Sequence, residues 1–340
     1  MTNLPTGEVV SLGDASISYE DVVLAGMLGE EWDSLVAWSA NGVERCVKDE
    51  VDVRALRREA EAFRRDRRLE AGQALRAWLA EREVTVPQWE SHVRRRVVLG
   101  DGTTPLGRPH KLPADLDAAL RVDSFCNRFW ELGARRVVGW LAARRLLGDA
   151  TVAEIDVSQI VDAALADEAA QLADRGAEWC HTRLATLASW SEARSRLGGS
   201  VASDTAIQSM IEAHWEEWSR LHLDVCRLAS EPAAREALRC ATDDGDRPEE
   251  IARRAHAELQ HQVVRAGDLE PSLLPILLSS TIGEPTGPFR LGSDWVVFWV
   301  RARPPADPSD PIVRADAVEA LVGAAVDREL RGAVKWSAPV

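Results

Sequence analysis

Between Ser18 and Leu99 the apolar residues return every three or four positions, with no strand-like alternation. That is the period of a helix burying one stripe, so this part of the chain is limited to packed helices. Ser18 precedes Tyr19-Glu20-Asp21, a hydroxyl followed by acids in a first turn. Asp52 opens Val53–Arg67, where Val53, Leu56, Ala60 and Phe63 share a stripe, and Leu75, Trp78 and Leu79 repeat the spacing. Thr85 caps a further helix with Pro87 in its first turn and Trp89 and Val93 on one face. These residues predict an all-α module over 1–99. The Gly-, Pro- and Thr-rich stretch 100–113 reads as a linker. A second helical block over 114–216 follows: Ala114–Leu147, a break at Asp149–Asp156, Val157–Ala173, Ala177–Leu197 and Asp204–Ser219.

The period then changes. Leu221–Leu228 alternates apolar and polar residues by twos, as a half-buried strand does, and Val296–Val300 is a run of β-branched and aromatic residues that reads as a buried strand. Between them the pattern predicts helices over Glu231–Ala241 and Arg247–Gln262, a turn at Ala266-Gly267-Asp268 and a short helix over Pro271–Ser279. A last helix runs from Ser309/Asp310 to about Arg331, with a stub at Ala333–Trp336. The fold expected is mainly α with a small antiparallel α+β domain over 217–304, and a C-terminal helix over 305–340 packing on the helical module.

Composition narrows the function classes. The 340 residues carry 41 basic against 55 acidic side chains, a net charge of −14, which argues against nucleic acid or an anionic membrane as partner. The longest apolar runs, Leu273–Leu278 and Val296–Val300, are far too short to span a bilayer. The first residues carry no basic and apolar pattern of a secretory signal. Five scattered cysteines without CxxC spacing read as reduced thiols, so a cytoplasmic setting is expected.

Gly283-Glu284-Pro285-Thr286-Gly287-Pro288-Phe289-Arg290, ahead of a strand that ends in Arg303-Pro304-Pro305, resembles the C-terminal part of a parvulin-type peptidyl-prolyl isomerase domain. Ala266-Gly267-Asp268-Leu269 resembles that family's turn and Leu221-His222-Leu223 its first strand, so the resemblance covers 217–304. The order of helical segment, isomerase-like unit and closing helix resembles the SurA/PrsA-like foldases. Residues 61–99 also resemble isomerase-like proteins of peptide-maturation and export systems, through Phe63-Arg64-Arg65, Arg76-Ala77-Trp78-Leu79 and Trp89-Glu90-Ser91-His92-Val93. The family twists a prolyl amide with two histidines on adjacent strands, a Cys or Asp between them and a Met/Phe-lined pocket. Here His222 fits the first position, but Asp294 or Trp295 stands at the second. Gln260–Arg265 has no Cys or Asp, and Glu270–Leu274 replaces the pocket motif. The resemblance therefore implies a binding module with weak or absent isomerase activity. His222, Asp268 and Asp294 are its residual catalytic candidates.

Other residues are weighed against bland readings. Trp215/Trp218 and Trp295/Trp299 are core residues by default. With Phe289, Leu273 and Leu274 they are the candidates for lining a peptide groove. Arg54–Arg96 holds 12 Arg and seven acids. It reads first as a solvated, ion-paired helix face, and in its functional reading Arg64, Arg65, Arg67 and Arg68 dock an acidic precursor segment. His214, His222, Cys226, His256 and His261 do not have metal-ligand spacing, and Cys180-His181 are adjacent and point apart on a helix. No metal or cofactor is expected. The function expected is a peptide-binding chaperone or foldase for an extended, proline-containing or precursor peptide. The alternatives are an active isomerase with a rearranged site, or a peptide-maturation enzyme, metal-assisted or not.

Overall fold

The computed structural model describes residues 5–100, 107, 111–148, 156–161, 176–292 and 294–338. The chain divides into two compact units, Met1–Ser200 with Ala324–Val340, and Val201–Gly323. Most of the 100–113 linker, most of the Asp149–Asp156 break and all of Val157–Ala173 beyond Val161 lie outside the described residues.

The first unit corrects the expectation of a purely helical 1–99 module. Strands β1 (Glu8–Leu12) and β2 (Ala15–Ser18) pair antiparallel, and β7 (Val334–Trp336) pairs antiparallel on the other side of β1, with Val10 opposite Trp336 and Leu12 opposite Val334. The predicted stub at Ala333–Trp336 is thus a strand. Elements this short carry too little alternation to be read locally, and the partner of β1 is at the far end of the sequence.

The helices match their local signals. They are α1 (Tyr19–Leu28), α2 (Glu31–Lys48), α3 (Val53–Asp66), α4 (Gly72–Glu81), α5 (Val86–Leu99), α6 (Leu116–Cys126), α7 (Phe129–Leu147) and α8 (Ala177–Val201). Ser18 and Asp21 form a reciprocal capping box on α1, Thr85 and Gln88 form one on α5, and the Asp52 carboxylate accepts from the Arg54 amide on α3. The long helix predicted over Ala114–Leu147 is two, because Arg128 adopts φ 61° between α6 and α7. The Arg67 guanidinium donates to the Cys126 carbonyl at the freed end of α6.

The core of this unit contains a buried ionic cluster. His92 and Arg95 project from α5 onto Asp123 of α6, and all three are buried. His92 Nδ1 lies 2.8 Å from Asp123 Oδ1, and Arg95 donates through Nη2 at 2.6 Å and Nε at 3.0 Å. Burial holds His92 below its ordinary pKa, because the Arg95 charge already balances the carboxylate. Burial pushes Asp123 upward, but the His92 hydrogen bond and Arg95 outweigh it and leave its carboxyl below the ordinary value.

The second unit holds α9 (Asp204–Ala213), α10 (Trp215–Trp218) and a four-stranded antiparallel sheet of order β4-β3-β6-β5, with β3 Arg220–Leu228, β4 Glu258–Arg265, β5 Pro285–Leu291 and β6 Asp294–Ala302. Helices α11 (Glu231–Asp243), α12 (Pro248–Ala255) and α13 (Leu274–Ser279) lie between the strands, and α14 (Pro311–Leu330) follows them. The chain is therefore mainly α with small antiparallel sheets. The predicted helix over Arg247–Gln262 is corrected: α12 stops at Ala255, His256 takes φ 50°, and the chain re-enters as β4. The helix predicted over Asp204–Ser219 is broken at His214.

Candidate peptide-binding site

The two faces of the larger sheet are chemically different. On one, Leu221, Leu223 and Val225 of β3 and Val296, Phe298 and Val300 of β6 form a buried apolar surface covered by Leu273 and Leu277, with Phe289 against Phe298 at a ring separation of 5.9 Å. On the other, Cys226, Leu228, Val297 and Trp299 pack under α11 and α12. Farther along that second face sits Asp224, which is 2% exposed. His261 of β4 and Arg301 of β6 reach it from either side, and Arg301 Nη2 continues to Glu249 at 3.3 Å. A carboxylate in the middle of a sheet is held by an imidazole from one neighbouring strand and a guanidinium from the other, and its burial requires such partners.

The sheet does not gather the three catalytic candidates into one place. His222 is half-buried near one end of β3, opposite Val263 and Ala302, on the Asp224 face. Asp294 opens β6 at the other end, 3.8 Å from Arg227. His222 and Arg227 are five residues apart in an extended strand, roughly 17 Å. Asp268 is exposed in the turn that follows β4.

The apolar candidates are also divided. Leu273, Leu274 and Phe289 belong to the first face, Trp295 and Trp299 to the second. Trp299, Leu273 and Trp218 are buried in their cores, whereas Trp215 is 51% exposed, so the two ends of the four-residue α10 have opposite surroundings. At the end of α3 Arg65 and Arg68 are exposed, while Arg64 Nε donates to the Ala60 carbonyl at 3.2 Å.

Thiol chemistry has little support. Burial pushes the Cys126 thiol up to about 12 and raises those of Cys180 and Cys226. Among the described residues, one set of potential metal donors comes within 4.8 Å of one another: Cys240, Asp244 and Asp246 at the end of α11. Arg254 already lies 2.7 Å from Asp246. Sequence reading missed Asp224 and Arg301. Their signal, a lone acid inside the alternating run Leu221–Leu228 and a lone Arg ending the Val296–Val300 run, gains meaning only once the strands are in register.

No family model matches the chain, and no curated protein does. Solved structures do. The chain is similar to PrsA foldases. The PrsA structure from Bacillus subtilis matches with 13% identity and a TM-score of 0.22, covering 62% of this chain and 88% of that one. The foldase protein PrsA from Streptococcus pneumoniae strain Canada MDR_19A matches with 12% identity and a TM-score of 0.28, covering 61% and 88%. At those scores the likeness bears on neither residues nor reaction. Among the described residues, no helix is long and apolar enough to cross a membrane.

Proposed function

We propose that this protein is a foldase-type chaperone whose 217–304 region holds extended, unfolded polypeptide with little or no prolyl isomerase activity. The observation carrying this reading is the wide separation of His222 from Asp294, at opposite ends of the larger sheet. Twisting a prolyl amide needs polar groups converging on a single peptide bond, whose rotation barrier is about 18–20 kcal/mol. Holding a chain needs only shape, apolar surface and backbone hydrogen bonds.

The client in this reading is a precursor segment in a reducing compartment. Five cysteines, none of them bonded to another, support the compartment, and exposed Arg65 and Arg68 support an acidic segment. Two assays test the proposal: suppression of aggregation of a chemically unfolded, disulfide-free client, and a protease-coupled proline-peptide assay. The expected result is suppression without rate enhancement. Isomerisation abolished by His222→Ala, or failure to slow aggregation, overturns it.

A further inference from the structure

The two edges of the larger sheet are built differently. On β5, Pro285 and Pro288 have no N–H to offer, and the pairing with β6 is interrupted by a register shift between Thr286 and Phe289. Such features blunt an edge against further pairing. The opposite edge, β4, has none of them. Its eight residues, ELQHQVVR, contain no Pro, Gly or Lys, pair with β3 without a register shift, and none of the eight is buried. Charge is confined to the two ends, Glu258 and Arg265. Among the described residues no strand pairs with its outer side.

We propose that β4 is a docking edge onto which an extended segment of client polypeptide adds as a fifth strand. The proposal rests on the chaperone reading above and names its mode of binding. Side chains along β4 suit this role. On one face, Gln262 Nε2 donates to Gln260 Oε1 at 2.7 Å, and Gln260 Nε2 to Glu258 Oε1 at 2.9 Å, a polar ladder that tolerates varied neighbours. The other face offers Leu259, His261 and Val263, with Val263 58% exposed. Alternate backbone N–H and C=O groups on the outer side supply sequence-independent affinity, and Val263 and Leu259 favour apolar side chains at alternate client positions.

A second copy of the chain fits the edge poorly. A two-fold axis through an antiparallel pair of β4 strands keeps opposed residues on one face, so their numbers must share parity. Centring on His261 sets Glu258 against Val264. Centring on Gln262 sets Arg265 against Leu259. These two registers, which pair the most residues, each place a charged end opposite an apolar residue, and no two-fold register joins Glu258 to Arg265. A foreign strand carries no such constraint.

The test uses the full chain and an acetylated, amidated Thr-Val-Thr-Val-Thr-Val hexapeptide. Saturable binding is expected, with slowed amide exchange at alternate residues between Leu259 and Val264. N-methylation of the peptide at every second amide abolishes binding in one phase and spares it in the other, which groove binding does not do. Val263→Lys weakens binding about fivefold, whereas Ile276→Lys, at another exposed apolar position, does not. Equal sensitivity to both methylation phases, or concentration-dependent dimerisation that protects the β4 amides without peptide, overturns the proposal. Aggregation suppression whose concentration dependence is unchanged in Val263→Lys overturns the edge while leaving the chaperone reading standing. Loss of suppression in the wild-type chain defeats the chaperone reading itself.

Discussion

His92 and Asp123 meet inside the helical unit with Nδ1 and Oδ1 2.8 Å apart and both side chains fully buried. Arg95 completes the set from one turn along α5, so a carboxylate, a guanidinium and a neutral imidazole sum to zero charge in a buried site. Protonating His92 would place a net positive charge there, whereas in the unfolded chain it protonates near 6.5. The unfolded state therefore binds more protons below that value, and stability falls as pH drops through 6.5. A second loss begins below 3.8, where unfolded Asp123 takes up a proton that the folded cluster resists. Urea midpoints measured from pH 8 to 5 are expected to decline in the wild type. His92→Asn, which keeps a donor for Asp123, is expected to show a flatter profile.

Removing the centre of that cluster is more costly than removing its titration. Asp123→Ala leaves Arg95 buried without its counter-charge, and a loss of about 3–5 kcal/mol is expected from urea unfolding at neutral pH. A change below about 1 kcal/mol would mean that Arg95 escapes to solvent.

Asp224 and Arg301 should respond asymmetrically. Arg301 is half exposed and also reaches Glu249, whereas Asp224 is buried. Arg301→Met strands a buried carboxylate against His261 alone and is expected to cost about 1–3 kcal/mol. Asp224→Val frees the Arg301 guanidinium and the His261 ring, which are exposed enough for water to solvate, and is expected to be roughly neutral. Thermal unfolding of the two variants side by side checks the order.

Helices α1 and α7 approach through Gly133. A Cβ there would sit 2.5 Å from Val22 Cγ1, and Val22 is fully buried. Gly133→Ala is expected to cost about 1–3 kcal/mol through overpacking. Adding Val22→Ala should recover part of that loss, so the double variant measures the contact directly.

The tryptophans separate core from surface. Trp299→Ala is expected to cost about 3–5 kcal/mol, since the indole is buried under α11 and α12. Trp215→Ala should stay within about 0.5 kcal/mol. Any effect of Trp215→Ala on client binding would then be a direct one.

The sequence by itself determined the elements whose cause is local. The caps at Ser18, Asp52 and Thr85 and the helices they open stand where the sequence predicts, because a helix satisfies its hydrogen bonds within a few residues. The strands β3 and β6 were also legible, from alternation and from a β-branched run. Tertiary structure alone decided β4, which reads as the end of a helix until β3 lies beside it, and the sheet that joins Val10 to Trp336. It also decided the site. His222 and Asp294 stand at opposite ends of one sheet, while Asp224, His261 and Arg301 come together from three strands. A strand's hydrogen bonds are made by residues distant in sequence, so partner, face and edge are fixed only when the chain closes on itself.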